Sequence, residues 1–481
     1  MSFLLRRRMV DAAFTPPPVE PPPVVAGSPD SGETMRPTLP KFWEPADLTA
    51  SYVTPPTGAD GTTASLTLID YDGTPRTFTG LALATATNRT QLDAALGNNK
   101  IIRTAGSFGG DVDLTGLTNC FVWSTTYLGS QANNGNPRGF RLANCNGVGI
   151  FGWQVNDADT WGIHQGGAGN YAWSDKSDNL WIQWCQILRP GQEGVKADSG
   201  SAVGDAIRTN TNINVRYNEI GNFGATTPRF GEGIYLGAGT QLTENYADGV
   251  CAQYNYLYKD DAPWPTGSRQ AEVIDVKPNT SDSRIIDNLI VDTACTFHGG
   301  IAFWEAASQR SAGDSRVERN RIFGVYGETR LTSTNTDGGE GDNYGTGIFV
   351  VHGIPVTDNM IVNCERTPIF VRHAGGTTGN NVMADPNERT VTLDKNIVLG
   401  PNTGGCVEMN ATAEATINMT NNVMSDNSTT AATGGATLNT SGNTTNVSLA
   451  GLTAAGYYDS GDGPGSQVVT LGLVPAGSYW T

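Results

Sequence analysis

Short apolar segments with period-two alternation recur through most of the chain, separated by polar, turn-forming residues; this is a pattern of strands. From about residue 119 one unit returns with insertions: a short strand, an Asn at its end, a polar loop, then a second strand opened by Gly or a small residue. The first strand family includes Ile213-Asn-Val-Arg-Tyr-Asn, Ser283-Arg-Ile-Ile-Asp-Asn, Ser315-Arg-Val-Glu-Arg-Asn, Val391-Thr-Leu-Asp-Lys-Asn and Thr416-Ile-Asn-Met-Thr-Asn. It places Asn218, Asn255, Asn288, Asn320, Asn359, Asn396 and Asn422 in one register, 26 to 39 residues apart. An irregular repeat of this length predicts an all-β fold, a right-handed parallel β-helix in which each coil satisfies its backbone groups on the next, about 4.8 Å away. Each Asn is expected to adopt the bent corner itself and to bond the neighbouring coil's Asn in a ladder.

The second strand family reads Trp161-Gly-Ile-His, Asp205-Ala-Ile-Arg, Glu232-Gly-Ile-Tyr, Glu272-Val-Ile-Asp, Gly299-Gly-Ile-Ala, Thr346-Gly-Ile-Phe, Thr367-Pro-Ile-Phe and Gly405-Cys-Val-Glu. Its Ile or Val column should face inward, so residues one and three beyond it should face outward.

The flanks differ. Residues 1–45 combine a short basic start with Phe14-Thr-Pro-Pro-Pro-Val-Glu-Pro-Pro-Pro, an extended polyproline arm that reads as a tether or a plain tail. Residues 46–100 hold a hairpin turning at Asp72-Gly73 and a two-turn helix, capped by Asn88 or Thr90 and ended by Gly97, that would lid the solenoid. The β-helix proper is assigned to 101–426, and 427–481 to final coils and a cap.

Composition adds limits. Sixty Gly and 16% charged residues suit frequent chain reversal, and long helices are not expected. A net charge of -17 disfavours nucleic acid and anionic lipid; it serves solubility, or could collect calcium, and no other cofactor is called for. Seven scattered Cys read as buried free thiols. The start, interrupted by Arg6 to Arg8, does not read as a secretion signal, and no stretch is apolar enough to span a bilayer. His298, His352 and His373 are single, and read as loop or surface residues.

One past the inward column come His164, Arg208, Tyr235, Asp275, Ala302, Phe349, Phe370 and Glu408; three past it come Asn210, Lys277, Trp304 and Arg372 among others. A strip mixing acid, base and aromatic groups suits a polysaccharide. Arg208, Tyr235, Asp275 and Lys277 are the catalytic candidates, with Glu272, and His164, Asn210, Trp304 and Arg372 the substrate-binding ones. Phe349 and Phe370 are expected to pack under a loop. Lys277, Tyr235 and Arg208 could share the roles of a β-elimination, whereas a hydrolase would use Asp275 with Glu232 or Glu272. The even spacing of both Glu residues from the inward Ile would turn them away from the outer face, unless the strands start after them.

The chain resembles the pectin-lyase-like superfamily of β-helix proteins, and Glu272-x4-Lys277 is similar to the chondroitinase-B and alginate-lyase branch. The resemblance implies Lys277 as base with Glu272 supporting it. That branch carries Arg-His-Gly one coil later, where this chain reads Phe297-His298-Gly299, so the carry-over reaches Glu272 and Lys277. The order of basic start, Pro-rich spacer, lead-in and β-helix resembles phage tailspikes and virion fibres. That resemblance implies a homotrimer, attached to other virion proteins through residues 1–45, that binds and could cleave host polysaccharide. A non-enzymatic structural or decoration protein of a phage particle and a free extracellular polysaccharide lyase are the alternatives.

Overall fold

The computed structural model describes residues 45–133, 138–166, 177–198, 208–226, 231–237, 245–259, 272–277, 280–294, 299–303, 313–326, 345–351, 353–372, 390–399, 405–410, 416–424 and 437–445. The arm before residue 45, the end of the chain after 445, Trp304, Cys295 and the three singled-out histidines lie outside the described residues.

Three sheets of 14, 11 and 10 strands, parallel except for the first strand of the largest, run the length of the described chain, here sheets 1, 2 and 3. Within the solenoid each sheet takes every third strand, so one coil supplies one strand to each; this is the right-handed parallel β-helix. In sheet 3 the inward column is Phe140, Ile163, Val195, Ile234, Ile274, Ile301, Ile348, Ile369 and Val407, each at most 2% exposed. Burial of such side chains, roughly 1.5–3 kcal/mol each, drives the stacking.

One rung departs from the expected alignment. Val195, from Glu193-Gly-Val-Lys, takes the place assigned to Asp205-Ala-Ile-Arg. Arg208 instead opens the strand Arg208–Arg216 of sheet 1, opposite Asn245. Gly is favoured just before the column because that site abuts the next coil: a Cβ on Gly194 would lie 2.6 Å from the Gly233 carbonyl oxygen. Glu193-Gly-Val-Lys supplies that Gly, and Asp205-Ala-Ile-Arg does not.

The asparagine ladder forms, with one change. Asn218, Asn255, Asn288, Asn320, Asn359, Asn396 and Asn422 are buried, and each donates its Nδ2 to the next Oδ1 at 2.9–3.1 Å, ending on Asn443. Each Nδ2 also donates to a main-chain carbonyl of the preceding coil, such as Asn255 to Val215 at 2.9 Å. The bend itself belongs to the residue before each Asn: Tyr217, Tyr254, Asp287, Arg319, Asp358, Lys395 and Asn421 have φ between 54° and 57°. The amide is therefore free to face inward while its neighbour turns the corner.

Strands Thr63–Ile69 and Pro75–Ala86 pair antiparallel, and the end of the second joins the first rung of sheet 1. Leu66, Leu68 and Phe78 pack on Phe121 and Trp181, so this hairpin lies over the outer face of sheet 1. Trp181 Nε1 donates to the Ile69 carbonyl at 3.0 Å, and Asn212 Nδ2 to Asp70 at 2.8 Å. A helix, Arg89–Ala95, is capped by Asn88, whose Oδ1 accepts from the Gln91 amide; Leu96 turns extended and ends it before Gly97. Cys120, Cys145, Cys185, Cys251, Cys364 and Cys406 are buried thiols outside any disulfide. No described helix is long and apolar enough to cross a membrane.

Candidate functional site

The coils of sheet 3 repeat a tetrad: an outward residue, a Gly or, on the fifth rung, Val273, the inward column, and a second outward residue. Arg138-Gly-Phe-Arg141, Trp161-Gly-Ile-His164, Glu193-Gly-Val-Lys196, Glu232-Gly-Ile-Tyr235 and Glu272-Val-Ile-Asp275 fall on consecutive rungs. Two columns result, Arg138, Trp161, Glu193, Glu232, Glu272 and Arg141, His164, Lys196, Tyr235, Asp275. They begin cationic and aromatic and end acidic.

At the acidic end, carboxylate oxygens of Glu232, Glu272 and Asp275 all lie within 4.8 Å of one another, and all three residues are at most 5% exposed. Both Glu side chains thus share the outer face with Asp275, contrary to what their even spacing implied. Strands Ile234–Leu236 and Ile274–Val276 begin two residues after each Glu, so strand alternation does not reach them. Lys277, three past the column, pairs with Asp275 and holds its ammonium 4.9 Å from the Tyr235 ring centroid. Lys196 approaches the same ring at 4.7 Å while Nζ donates to Glu193 at 2.7 Å.

The electrostatics sort these groups. Burial opposes the charge on Lys277, yet Asp275, Glu272 and Glu232 outweigh it and raise the ammonium above the ordinary lysine range. Burial followed by Glu193 pushes Glu232 well above the usual carboxylate value; Lys277 pulls it back only in part, and Asp275 and Glu272 push further. Burial, then Asp198, Asp275, Glu232 and Glu193, push the Tyr235 phenol well above its ordinary value. Lys277 and Tyr235 therefore hold their protons tightly, which does not fit the base role expected of Lys277. Glu232 is the group biased towards a transferable proton. Its Oε2, and that of Glu193, are buried without a hydrogen-bond partner among the described residues.

The three carboxylates also fit a divalent cation. Their oxygens, no more than 4.8 Å apart, could close on one Ca²⁺, whose oxygen ligands lie at about 2.3–2.6 Å, and the cation would supply positive charge where Lys277 now does.

The other candidates separate. Arg208 lies in sheet 1, away from the strip. Asn210 is fully buried within the sheet 1 strand Arg208–Arg216, its Oδ1 accepting from the Ser177 amide at 2.8 Å and its Nδ2 donating to Gln165 at 3.0 Å; it fastens coils together and does not face outward. Asp198 takes the register position assigned to it, since Asp198 N donates to the Gln165 carbonyl. His164 stacks on Trp161 with centroids 4.2 Å apart, and is 4% exposed. Arg372 ends the strand Ile369–Arg372, opposite Asn410. Phe349 and Phe370 are buried and stacked, 5.5 Å apart at 5°. Sequence reasoning missed Arg138, Arg141, Glu193 and Lys196; Gly139 and Gly194, matching Gly162 and Gly233, were the signal.

No protein-family model matches the chain, and no curated protein does. Among solved structures it is similar to an alginate lyase from Paenibacillus sp. str. FPU-7, at 17% identity and TM-score 0.42, over 68% of this chain and 98% of that one. It is also similar to the catalytic unit of a thermostable GH87 alpha-1,3-glucanase from Streptomyces thermodiastaticus strain HF3-3, at 14% identity and TM-score 0.36, over 74% and 65%. A third likeness is to a mannuronic acid specific polysaccharide family 6 lyase from human gut microbiota, at 11% identity and TM-score 0.31, over 75% and 82%.

Proposed function

We propose that the chain binds polysaccharide along the outer face of sheet 3 and hydrolyses it at the rungs of Glu232 and Asp275. The convergence of Glu232, Glu272 and Asp275 around one lysine carries this reading. Glycosidic hydrolysis needs one carboxyl group to protonate the leaving oxygen and one carboxylate to activate water or attack the sugar. Glu232, biased towards its protonated form, suits the acid; Asp275, paired with Lys277, suits the carboxylate. Glu272, on the same rung as Asp275, helps keep the Glu232 carboxyl protonated.

A second reading is favoured by the fit of the cluster to a cation. With Ca²⁺ among the three carboxylates, their hold on Lys277 would relax, and β-elimination from a uronate with Lys277 as base becomes open. Incubation with a panel of neutral and acidic polysaccharides, with and without chelator, separates the two. New reducing ends without ultraviolet absorbance from an unsaturated product support hydrolysis; chelator-sensitive absorbance supports elimination. No cleavage of any member would sink both and leave a rigid spacer.

The proposal extends to attachment of the chain to a virion through residues 1–45, supported by the order of segments in the sequence. Deleting residues 1–40 should then abolish incorporation into particles, and unchanged incorporation would end that part.

A further inference from the structure

We propose that the cationic end of the sheet 3 face is a subsite for the anionic group of an acidic sugar, built by Arg138, Arg141, Trp161, His164 and Lys196. This rests on sheet 3 being the polysaccharide-binding face, and goes on to name the substrate class and the direction in which the chain lies.

The observation that carries it is a set of buried polar atoms without a hydrogen-bond partner among the described residues. Arg138 Nε, Arg141 Nε, Trp161 Nε1 and His164 Nδ1 all fall in this set, on two adjacent rungs of one face. Leaving a buried polar group unsatisfied is costly, so four together call for a missing partner. Three of the four can only donate, which asks for a ligand rich in acceptors. The residues also lie close together. The Arg138 guanidinium sits 5.1 Å from the Trp161 ring centroid, Lys196 Nζ sits 5.8 Å from it, and His164 stacks on the same indole.

Acids border the subsite without filling it. Asp111 approaches Arg138 through Nη1 at 3.5 Å and Asp113 approaches Arg141 through Nη1 at 3.6 Å, which leaves both Nε atoms unused. Glu193 engages Lys196 on its own rung, and Asp198 also acts on that lysine. At His164 the cations prevail: after burial, the groups that depress its basicity are Lys196, Arg138 and Arg141. A carboxylate or sulfate placed there would accept from the idle donors and offset three like charges.

The position gives the site a polarity. At about 4.8 Å per rung, Arg141 lies four rungs, roughly 19 Å, from Asp275, and His164 three rungs, roughly 14 Å. On the far side of Asp275 the same column continues as Ala302, Phe349 and Phe370, which offer no cation. An acidic unit is therefore held several sugars from the reacting bond, on the N-terminal side of Asp275.

The full-length protein, titrated calorimetrically with an oligouronate, a sulfated oligosaccharide and an uncharged glucan oligomer of equal length, tests this. Binding of the uronate or the sulfated oligomer, weakening as salt rises and at least tenfold tighter than the glucan, is expected. Arg141→Gln, at a partly exposed side chain, should reduce that affinity at least tenfold with the thermal unfolding midpoint unchanged. Arg141→Lys, which keeps the charge, should recover most of it. Glucan binding as tight as the uronate's, a loss under twofold in Arg141→Gln, or equal losses in both variants with a lowered midpoint would overturn the proposal. Tight acidic binding without cleavage would leave the subsite standing and sink the hydrolase reading; cleavage of neutral glucan alone would do the reverse.

Discussion

Glu232 and Asp275, 43 residues apart in sequence, bring carboxylate oxygens within 4.8 Å of each other on adjacent rungs of sheet 3. Their proximity and burial hold Glu232 well above the ordinary carboxylate value. A carboxyl group whose folded pKa is raised contributes stability that is complete below its unfolded pKa and lost as pH rises through the folded one. The contribution of Glu232 should therefore fall as pH rises above the ordinary carboxylate range, read in denaturant unfolding as the difference between the parent and Glu232→Gln. An identical slope in the variant would count against the buried-acid assignment.

His164 predicts the opposite sign. Burial, Lys196, Arg138 and Arg141 depress its folded pKa well below 6.5. Its contribution is present above the unfolded value and lost as pH falls from there through the folded one. His164→Gln should remove this acid-side loss, as read from unfolding midpoints below about pH 6.5. NMR titration showing the ring protonated near its free value would contradict the account.

The asparagine ladder should be expensive to break. Asn255→Ala leaves the Asn218 main-chain N–H and Nδ2 and the Val215 carbonyl without their partner, all in the interior. At about 1–3 kcal/mol for each unsatisfied group, a loss of roughly 3 kcal/mol or more is expected in urea unfolding. The Asn255→Ala and Asn288→Ala effects should not add, because the two amides share a hydrogen bond at 2.9 Å.

A methyl group at Gly233 should disturb fold and site together. Its Cβ would lie 2.6 Å from Leu257 Cδ2 and 2.8 Å from the Val273 carbonyl oxygen, so the rung bearing Glu232 must shift. A cost of about 1–3 kcal/mol is expected, with loss of cleavage. Calorimetry and turnover measured on the same preparation would check both.

Much of the fold was legible because stacking imposes register. Asn218 to Asn422 and the inward Ile column are repeated constraints, and a repeat survives insertions of any length. The corner was misplaced by one residue because the left-handed position carries Tyr, Asp, Arg, Lys and Asn with no shared chemistry. The site was less legible. Asp205-Ala-Ile-Arg carries the apolar and polar pattern of a rung, and only the contact between Gly194 and Gly233 shows why Glu193-Gly-Val-Lys is the true one. Glu232 and Glu272 looked inward by parity, because the points where Ile234–Leu236 and Ile274–Val276 begin are set by the coil and not by local pattern.

The central claim is that the carboxylates of Glu232 and Asp275 cleave a glycosidic bond. Its most direct test is the release of reducing ends from a polysaccharide that the parent protein cleaves, compared among the parent, Glu232→Gln and Asp275→Asn. The account predicts that each substitution lowers turnover by about two to four orders of magnitude while substrate binding persists. Parental turnover in both variants would contradict it.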